Sequence, residues 1–353
     1  MGNLINTDVL IIGAGLSGLA SAYYLRESGK TVTIVESRNR IGGRIDTAGY
    51  ESNQPIELGA TWLGRKYNSL CTLLADLNID TFEQRIGTKA IYEAISTSPY
   101  YLASLPENPE PSLRIKGGSM ALISALKAKI SAEIILDTRI EKLVDEGESI
   151  SAFADGTKIT AKKVISTIPP NLFVNRIRFE PQLPSELTTL SKNTHTWMGE
   201  SIKIALRFDK PFWRTSDLSG TIMSNVGPIS EMYDHSNYEE SHFSLMGFFN
   251  GSFHTLSKEE RLHKVLAQLR KYFGNKVDDY LSYHETVWRG EEDTFFPYNS
   301  HVLPHQNNGH DLFSKAYMND KLILSGTETS PQYPGYMEGA VYSGWRASGL
   351  INI

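Results

Sequence analysis

The sequence predicts an α/β chain, and three observations carry that prediction. The chain opens on DVLIIGAGLSGLASAYYLRESGKTVTIVE, Asp8 to Glu36, a strand–turn–helix–strand unit closed by an acid. Strand-like and helix-like segments then follow one another with no internal repeat and no low-complexity stretch. At 353 residues the chain can bury a substantial core divided over about two domains.

Each part of the opening unit has its own job at a pyrophosphate. Val9 to Ile12 form a short apolar run, as expected for a strand covered on both faces. Gly13, Gly15 and Gly18 follow at G-x-G-x-x-G spacing. The first permits a tight turn, the second lets backbone approach a phosphate, and the third lets the helix pack on the strand. The helix, from about Leu16 to Ser28, points its amides and positive dipole end at the anion. Gly29 ends it, Thr31 to Val35 return as a second strand, and Glu36 is placed to accept hydrogen bonds from both hydroxyls of a ribose. The full context makes this a strong nucleotide signature where a bare glycine triplet would be weak.

Composition narrows the partners. A hydrophobic share of 40% and a charged share of 21% are ordinary for a soluble globular protein. The formal charge of -5 leaves no basic footprint, so nucleic acid is not expected. Cys71 is the single cysteine, which excludes an intrachain disulfide and fits a reducing compartment. It lies in LCTLLADL and reads as a small buried residue on a helix. Too few residues precede Asp8 for the charged start of a secretory signal, and no run approaches the roughly 18 apolar residues of a membrane span. The chain ends at Ile353 directly after a helix-like segment, with no tail to serve as an anchor. The expectation is a cytoplasmic protein without a membrane partner.

Further along, Pro106, Pro109 and Pro111 mark one irregular crossing, and YNSHVLPHQNNGHD, Tyr298 to Asp311, marks another. Ile134 to Leu136 and Lys162 to Thr167 read as strands. Ser257 to Gly274 is the clearest helix, with Ser257 and Glu260 as a capping box, an apolar face from Leu262 to Phe273, and Gly274 as the stop. His301, His305 and His310 suggest a metal cluster at first sight, but their loop lacks cysteine and paired carboxylates, so no metal is expected. The second βα unit of a nicotinamide dehydrogenase dissolves here into ESRNRIGGRIDT. Its Arg38, Arg40 and Gly42-Gly43-Arg44 read alone as a β-turn; after a nucleotide unit they read as a backbone passing close to phosphate with a guanidinium beside it. ELGATWLG, Glu57 to Gly64, adds a small-residue stretch able to touch a ring.

In these blocks the chain resembles the flavin-dependent amine oxidase family of the monoamine and polyamine oxidase type, as a shortened member. The resemblance rests on GAGLSG with Glu36, RIGGR, ELGATW, MGESIKIALRFDKPFW (Met198 to Trp213) and GTETSPQYPGYMEGAVYSGWRA (Gly326 to Ala347), in family order. VISTIPP, Val164 to Pro170, resembles the family strand that crosses between domains. The resemblance implies a Rossmann-like FAD-binding domain of the two-dinucleotide-binding type, with a smaller α+β substrate domain inserted. Residues 1–80, 113–170 and 311–353 are expected in the FAD domain, a shortened substrate segment in 81–112, and the main substrate domain in 171–310.

The resemblance also assigns roles. FAD is implied, held noncovalently since Cys71 is far from the region that carries attachment in some members. Gly13, Gly15, Gly18, Glu36, Arg38, Gly43 and Arg44 match positions that hold its adenosine diphosphate half. Ile140, in TRIEKLV, is implied to meet adenine through its backbone. Gly59, Ala60 and Thr61 are implied to lie along the isoalloxazine. Gly326 opens the closing block, Glu328 is implied near the ribityl–pyrophosphate region, and Met337 to offer an amide to the flavin carbonyl. The final helix, opening near Tyr336, would aim its positive end at the pyrimidine portion.

Two catalytic positions follow. In SIKIALRF the alternation puts Ile202, Ile204, Leu206 and Phe208 on one face and Lys203 on the other, which by pattern alone means a solvated lysine. The resemblance reverses that expectation, matching Lys203 to the lysine that holds a water near flavin N5. A buried lysine of lowered pKa could tune proton transfer and reoxidation by oxygen. Tyr336, in PGYMEG, matches one of two rings that flank the amine. Aligning PYNSHVL puts Val302 or Leu303 where the second ring belongs, so Tyr298, Phe295, Phe296 or Trp288 are the candidate substitutes, with core packing as their alternative. The stretch from Phe82 to Arg114 is short where family members carry a long helical insertion. That implies an open or differently walled site, a large or carrier-bound substrate, or cover by a second subunit in a homo-oligomer. Trp62 stands near where related amino-acid oxidases place an arginine for the carboxylate, which argues for a plain amine, with Arg65 close by.

The implied function is an FAD-dependent amine oxidase giving imine or aldehyde and hydrogen peroxide, with molecular oxygen as acceptor. The alternatives are a related flavin dehydrogenase or desaturase acting on an unusual or carrier-bound substrate, and a noncatalytic FAD-binding protein.

Overall fold

The computed structural model describes residues 3–214 and 218–351. The opening unit folds as a strand, helix and strand, β1 (Asn3–Ile12), α1 (Leu16–Leu25) and β2 (Val32–Val35), with β1 and β2 parallel and Ile12 opposite Val35; β1 starts six residues before the expected Val9, because Asn3 to Thr7 pair with Thr157 to Ala161. Val9, Leu10 and Ile11 are wholly buried, which is why an unbroken apolar run was needed. Helix α1 stops at Leu25, three residues earlier than the expected Ser28, and the chain leaves through a turn to Gly29 at φ +70°.

The nine-stranded sheet built on this unit runs Glu133–Ile135, β2, β1, Thr157–Ser166, Ile150–Ala154, Lys142–Asp145, Arg178–Glu180, with Leu322–Leu324 and Ala316–Tyr317 attached. Thr157–Ser166 is the organising strand. Along one edge it is parallel to β1; along the other its first half takes the antiparallel strand Ile150–Ala154 and its second half the parallel Leu322–Leu324. The carboxyl ends Ile12, Val35, Ile135, Ser166 and Leu324 therefore meet at one rim, where open α/β sheets bind ligands. The final helix Met337–Ile351 crosses α1 closely. A Cβ on Gly344 would come within 2.8 Å of the Ser17 carbonyl oxygen, so only glycine allows the approach.

A second sheet of seven strands runs Ser282–Val287, Ile202–Phe208, Phe243–Phe249, Ile229–Asp234, Leu218–Ser224, Lys89–Glu93, Tyr101–Ser104. Ile202, Ile204, Leu206 and Phe208 pack there with Val265, Leu266 and Leu269 of the helix Lys258–Phe273. That helix carries the expected capping box between Ser257 and Glu260, and Gly274 ends it at φ +68°. The short stretch between Phe82 and Arg114 supplies the last two strands of this sheet instead of helices. Cys71 lies on the helix Asn68–Asp76 but is only half-buried, its Sγ 3.7 Å from the Gly64 carbonyl oxygen.

Candidate active site

Three glycine-bearing segments, far apart in sequence, lie backbone against backbone. Gly13 sits at φ +106°, and a Cβ there would meet Thr167 Oγ1 at 2.5 Å. A Cβ on Gly18 would meet the Gly13 carbonyl oxygen at 2.0 Å, which is the helix–strand contact expected of the third glycine. The RIGGR loop rests on the first turn. Gly42 N–H donates to the Ala14 carbonyl oxygen at 2.9 Å, and a Cβ on Gly43 would touch Gly15 Cα at 3.0 Å. ELGATW rests on RIGGR in turn, since Ala60 N–H donates to the Arg44 carbonyl oxygen and a Cβ on Gly59 would reach that oxygen at 2.2 Å. The small residues are thus required by each other as well as by any ligand.

One cavity of about 1180 Å³ runs along these segments. Its lining includes Gly13, Gly15, Glu36, Arg38, Gly43, Arg44 and Ile140 on the side of the opening unit, then Gly59, Ala60, Thr61, Lys203, Tyr336 and Met337, and Gly326 also lines it. Glu36 is buried, with Oε2 accepting from Ala14 N at 2.8 Å and Oε1 from Arg38 N at 3.1 Å. Arg38 Nε is buried and makes no protein hydrogen bond. Gly18 and Glu328 do not line the cavity. Glu328 is fully buried and grips Arg44 in a bidentate pair of 2.6 and 2.8 Å, so it reaches the site through that guanidinium.

Lys203 departs most from its sequence pattern. It is 3% exposed, because the face opposite the apolar one is covered as well. Its Nζ donates to the Gly59 carbonyl oxygen at 2.6 Å and to Thr61 Oγ1, and lies 5.2 Å from the Trp62 ring and 5.6 Å from the Phe248 ring. Burial pushes its pKa down to about 7, with Glu57 acting against the shift and Arg114 with it. The chamber beyond is walled by Trp62, Tyr233 and Phe248; Trp62 meets Tyr233 edge-on at 5.3 Å and donates through Nε1 to Gln84 Oε1. Arg65 is exposed and paired with Glu83 at 3.0 Å.

None of the rings proposed as partners of Tyr336 is among its ring contacts, although Trp288 lines the same cavity. Trp288 is buried and donates to the Leu58 carbonyl oxygen, Phe295 is buried, and the Tyr298 hydroxyl accepts from Thr196 N. Leu303 is exposed. Instead Trp197 lies 5.8 Å from Tyr336, with His305 stacked on Trp197 at 4.0 Å and on Tyr336 at 6.0 Å. Trp197 lines the cavity, and sequence reasoning missed it. The signal available was its position directly before Met198, where the MGES block begins. Among the described residues no cluster of His, Cys, Asp or Glu suited to a metal is present, and no helix is long and apolar enough to cross a membrane.

Comparisons with known proteins agree on one family. The family model described as flavin containing amine oxidoreductase matches residues 16–110 and 98–352. A probable flavin-containing monoamine oxidase A of Dictyostelium discoideum is 24% identical over 97% of this chain and 96% of its own length. Human flavin-containing amine oxidase B is also 24% identical, over 97% of this chain and 85% of its own. Both alignments run over 446 positions, more than this chain's 353 residues, so these relatives carry segments it lacks. Among solved structures, wild-type putrescine oxidase bound to putrescine superposes with a TM-score of 0.84 at 22% identity, covering 98% of this chain and 99% of that one. Cyclohexylamine oxidase from Brevibacterium oxydans does so at 0.83 and 21%, covering 98% of each.

Proposed function

The chain belongs to the family of flavin-containing amine oxidoreductases, and from that premise we propose that it is an oxidase of free amines, producing an imine, its aldehyde and hydrogen peroxide. The observation that carries this is the single cavity, which joins a dinucleotide cradle to an aromatic chamber with a buried lysine where they meet. The cofactor is FAD, and the residues fit it: a glycine turn with no room for a Cβ at Gly13 or Gly18, helix amides with no acid in the first turn, and Arg38, whose Nε makes no hydrogen bond and lies 3.5 Å from Glu36 Oε1. The single cysteine does not line the cavity, which supports noncovalent attachment. When bound, FAD supplies the two-electron chemistry, accepting a hydride equivalent from the α-carbon and passing the electrons to oxygen.

The chain's own residues bind and orient. Glu36 is positioned for ribose, and Arg44, steadied by Glu328, for phosphate. Lys203 Nζ holds or releases a proton at the chamber end of the cavity, where its lowered pKa makes both states available near neutrality. Trp197 and Tyr336, rings 5.8 Å apart and tilted by 41°, line the cavity beside the place of a neutral amine, while Trp62, Tyr233 and Phe248 give the chamber aromatic walls.

The site also suggests a substrate class. Glu231 lines the chamber, exposed at its rim, and accepts from the Tyr233 hydroxyl at 2.9 Å. A carboxylate there suits a second ammonium, and a putrescine oxidase is among the similar structures. A diamine is therefore the preferred substrate. The test is an aerobic assay of the FAD-loaded protein with chain-matched monoamines and diamines. The expected result is aldehyde and peroxide in equal amounts with diamines turned over at lower KM; no peroxide with any amine would overturn the reading.

A further inference from the structure

Four ionisable side chains are buried, and of them Lys203 lines the cavity. Glu57 is 3% exposed, Arg114 6%, His235 1% and Lys203 3%. Such groups are seldom buried without a direct partner, and among the described residues neither cation forms an ion pair with Glu57. The carboxylate is occupied otherwise: Oε1 accepts from Ser119 N at 2.5 Å and Oε2 from Thr47 Oγ1 at 2.8 Å. Arg114 Nη1 donates to the Ser236 carbonyl oxygen at 2.8 Å, and Nη2 lies 3.1 Å from His235 Nε2. That same Nε2 accepts from Glu57 N at 3.1 Å. Two donors on one nitrogen put the imidazole proton on Nδ1, which is buried without a partner, and so hold His235 neutral.

We propose that Glu57 and Arg114 are opposed positioning charges that together decide whether Lys203 carries its proton at the chamber. This rests on the amine oxidase reading for its consequence in turnover but not for the titration itself. The geometry buries two groups of opposite charge beside a movable one; burial itself pushes the Glu57 carboxyl up and Arg114 down to about 10, while the bonds from Ser119 and Thr47 and the nearby Lys203 and Arg114 favour the carboxylate. Glu57 sits on the two-residue strand Ile56–Glu57, just before the Gly59 carbonyl that holds Nζ. Arg114 sits on Leu113–Ile115, which pairs with Trp62–Leu63, and the Trp62 ring covers Nζ. The other groups facing Lys203 are few. Asp46, which accepts from Thr286 on the neighbouring strand, favours the charged form; Phe248 opposite Lys203 and Trp62 are uncharged; His235 is neutral. Glu57 favours the ammonium, Arg114 disfavours it, and burial disfavours it most. Removing Glu57's charge should therefore lower the pH at which Lys203 titrates, and removing Arg114's should raise it.

Opposite signs distinguish this from a structural role, since general loosening lets water in and moves Lys203 one way in every variant. The experiment uses the FAD-loaded protein labelled with ¹³C and ¹⁵N at lysine, following Lys203 Cε and Nζ by NMR from pH 5 to pH 11. Lys203→Met identifies the resonance by its loss. Glu57→Gln is expected to move the midpoint down and Arg114→Met to move it up, each by about one pH unit. Glu57→Asp, which keeps the charge, should stay near wild type. Midpoints that shift in the same direction, or do not shift, overturn the proposal. Should Glu57→Gln fail to fold for want of its bonds to Ser119 and Thr47, Arg114→Met and the charge-keeping Arg114→Lys decide together: Arg114→Met should raise the midpoint and Arg114→Lys leave it near wild type, and an unchanged or lowered midpoint in Arg114→Met, or an equal rise in both, refutes the proposal. Failure of the amine oxidase reading would show instead as a wild-type protein inert to amines, with these titrations unaffected.

Discussion

Lys203 is buried to 3% exposure, so the fold pays whenever its amine is charged. In the unfolded chain the group holds its proton up to the ordinary 10.5, whereas in the folded protein it gives it up near 7. Between those values the unfolded chain binds more protons, so this residue makes stability rise with pH across that window. Lys203→Met is therefore expected to be more stable than wild type below pH 7, with the gain fading towards pH 10.5, as read by urea titrations at several pH values. The same variant should lose roughly 10²-fold in turnover with amines, measured as peroxide release. Glu231→Gln is expected to raise KM for diamines about tenfold while leaving a monoamine unchanged; equal effects on both would remove Glu231 from substrate choice. The burial of Lys203 was not legible from alternation, which reports one apolar face and is silent about what covers the other. Only the resemblance pointed to it.

Among the elements, the final helix does more than face the cavity. Glu338, 1% exposed, accepts through Oε1 from Ser69 N at 3.0 Å and through Oε2 from Leu70 N at 2.7 Å, capping the helix Asn68–Asp76 from across the chain. That helix has no cap of its own. Glu338→Ala should cost about 1–2 kcal/mol, with early loss of protection of the amides at 69 and 70 in hydrogen exchange. The opening unit and the helix Lys258–Phe273 were legible because their signals are local: a glycine spacing, a capping box, a periodic face. Two-residue strands such as Thr47–Ala48 and Ile56–Glu57 were not, since their existence depends on a partner rather than on their own residues. The ring beside Tyr336 was missed for the same reason: Trp197 comes from a segment about 140 residues away.

Over the whole molecule, the site is held by contacts between chain ends. Arg44 and Glu328 pair across 284 residues, and Ser17 Oγ lies 2.8 Å from Ser325 Oγ. Removing the carboxylate by Glu328→Ala would leave Arg44 without its charge partner at the cavity wall. The expected cost is about 3 kcal/mol of stability and weaker retention of FAD, measured by thermal melts with and without added cofactor. The most direct test of the central claim is to mix the FAD-loaded protein with one equivalent of a diamine in the absence of oxygen and then admit air. The account predicts that the flavin absorbance near 450 nm bleaches, returns on aeration, and leaves one peroxide per flavin. A flavin that stays oxidised with every amine offered, in a protein that binds FAD fully, would contradict it.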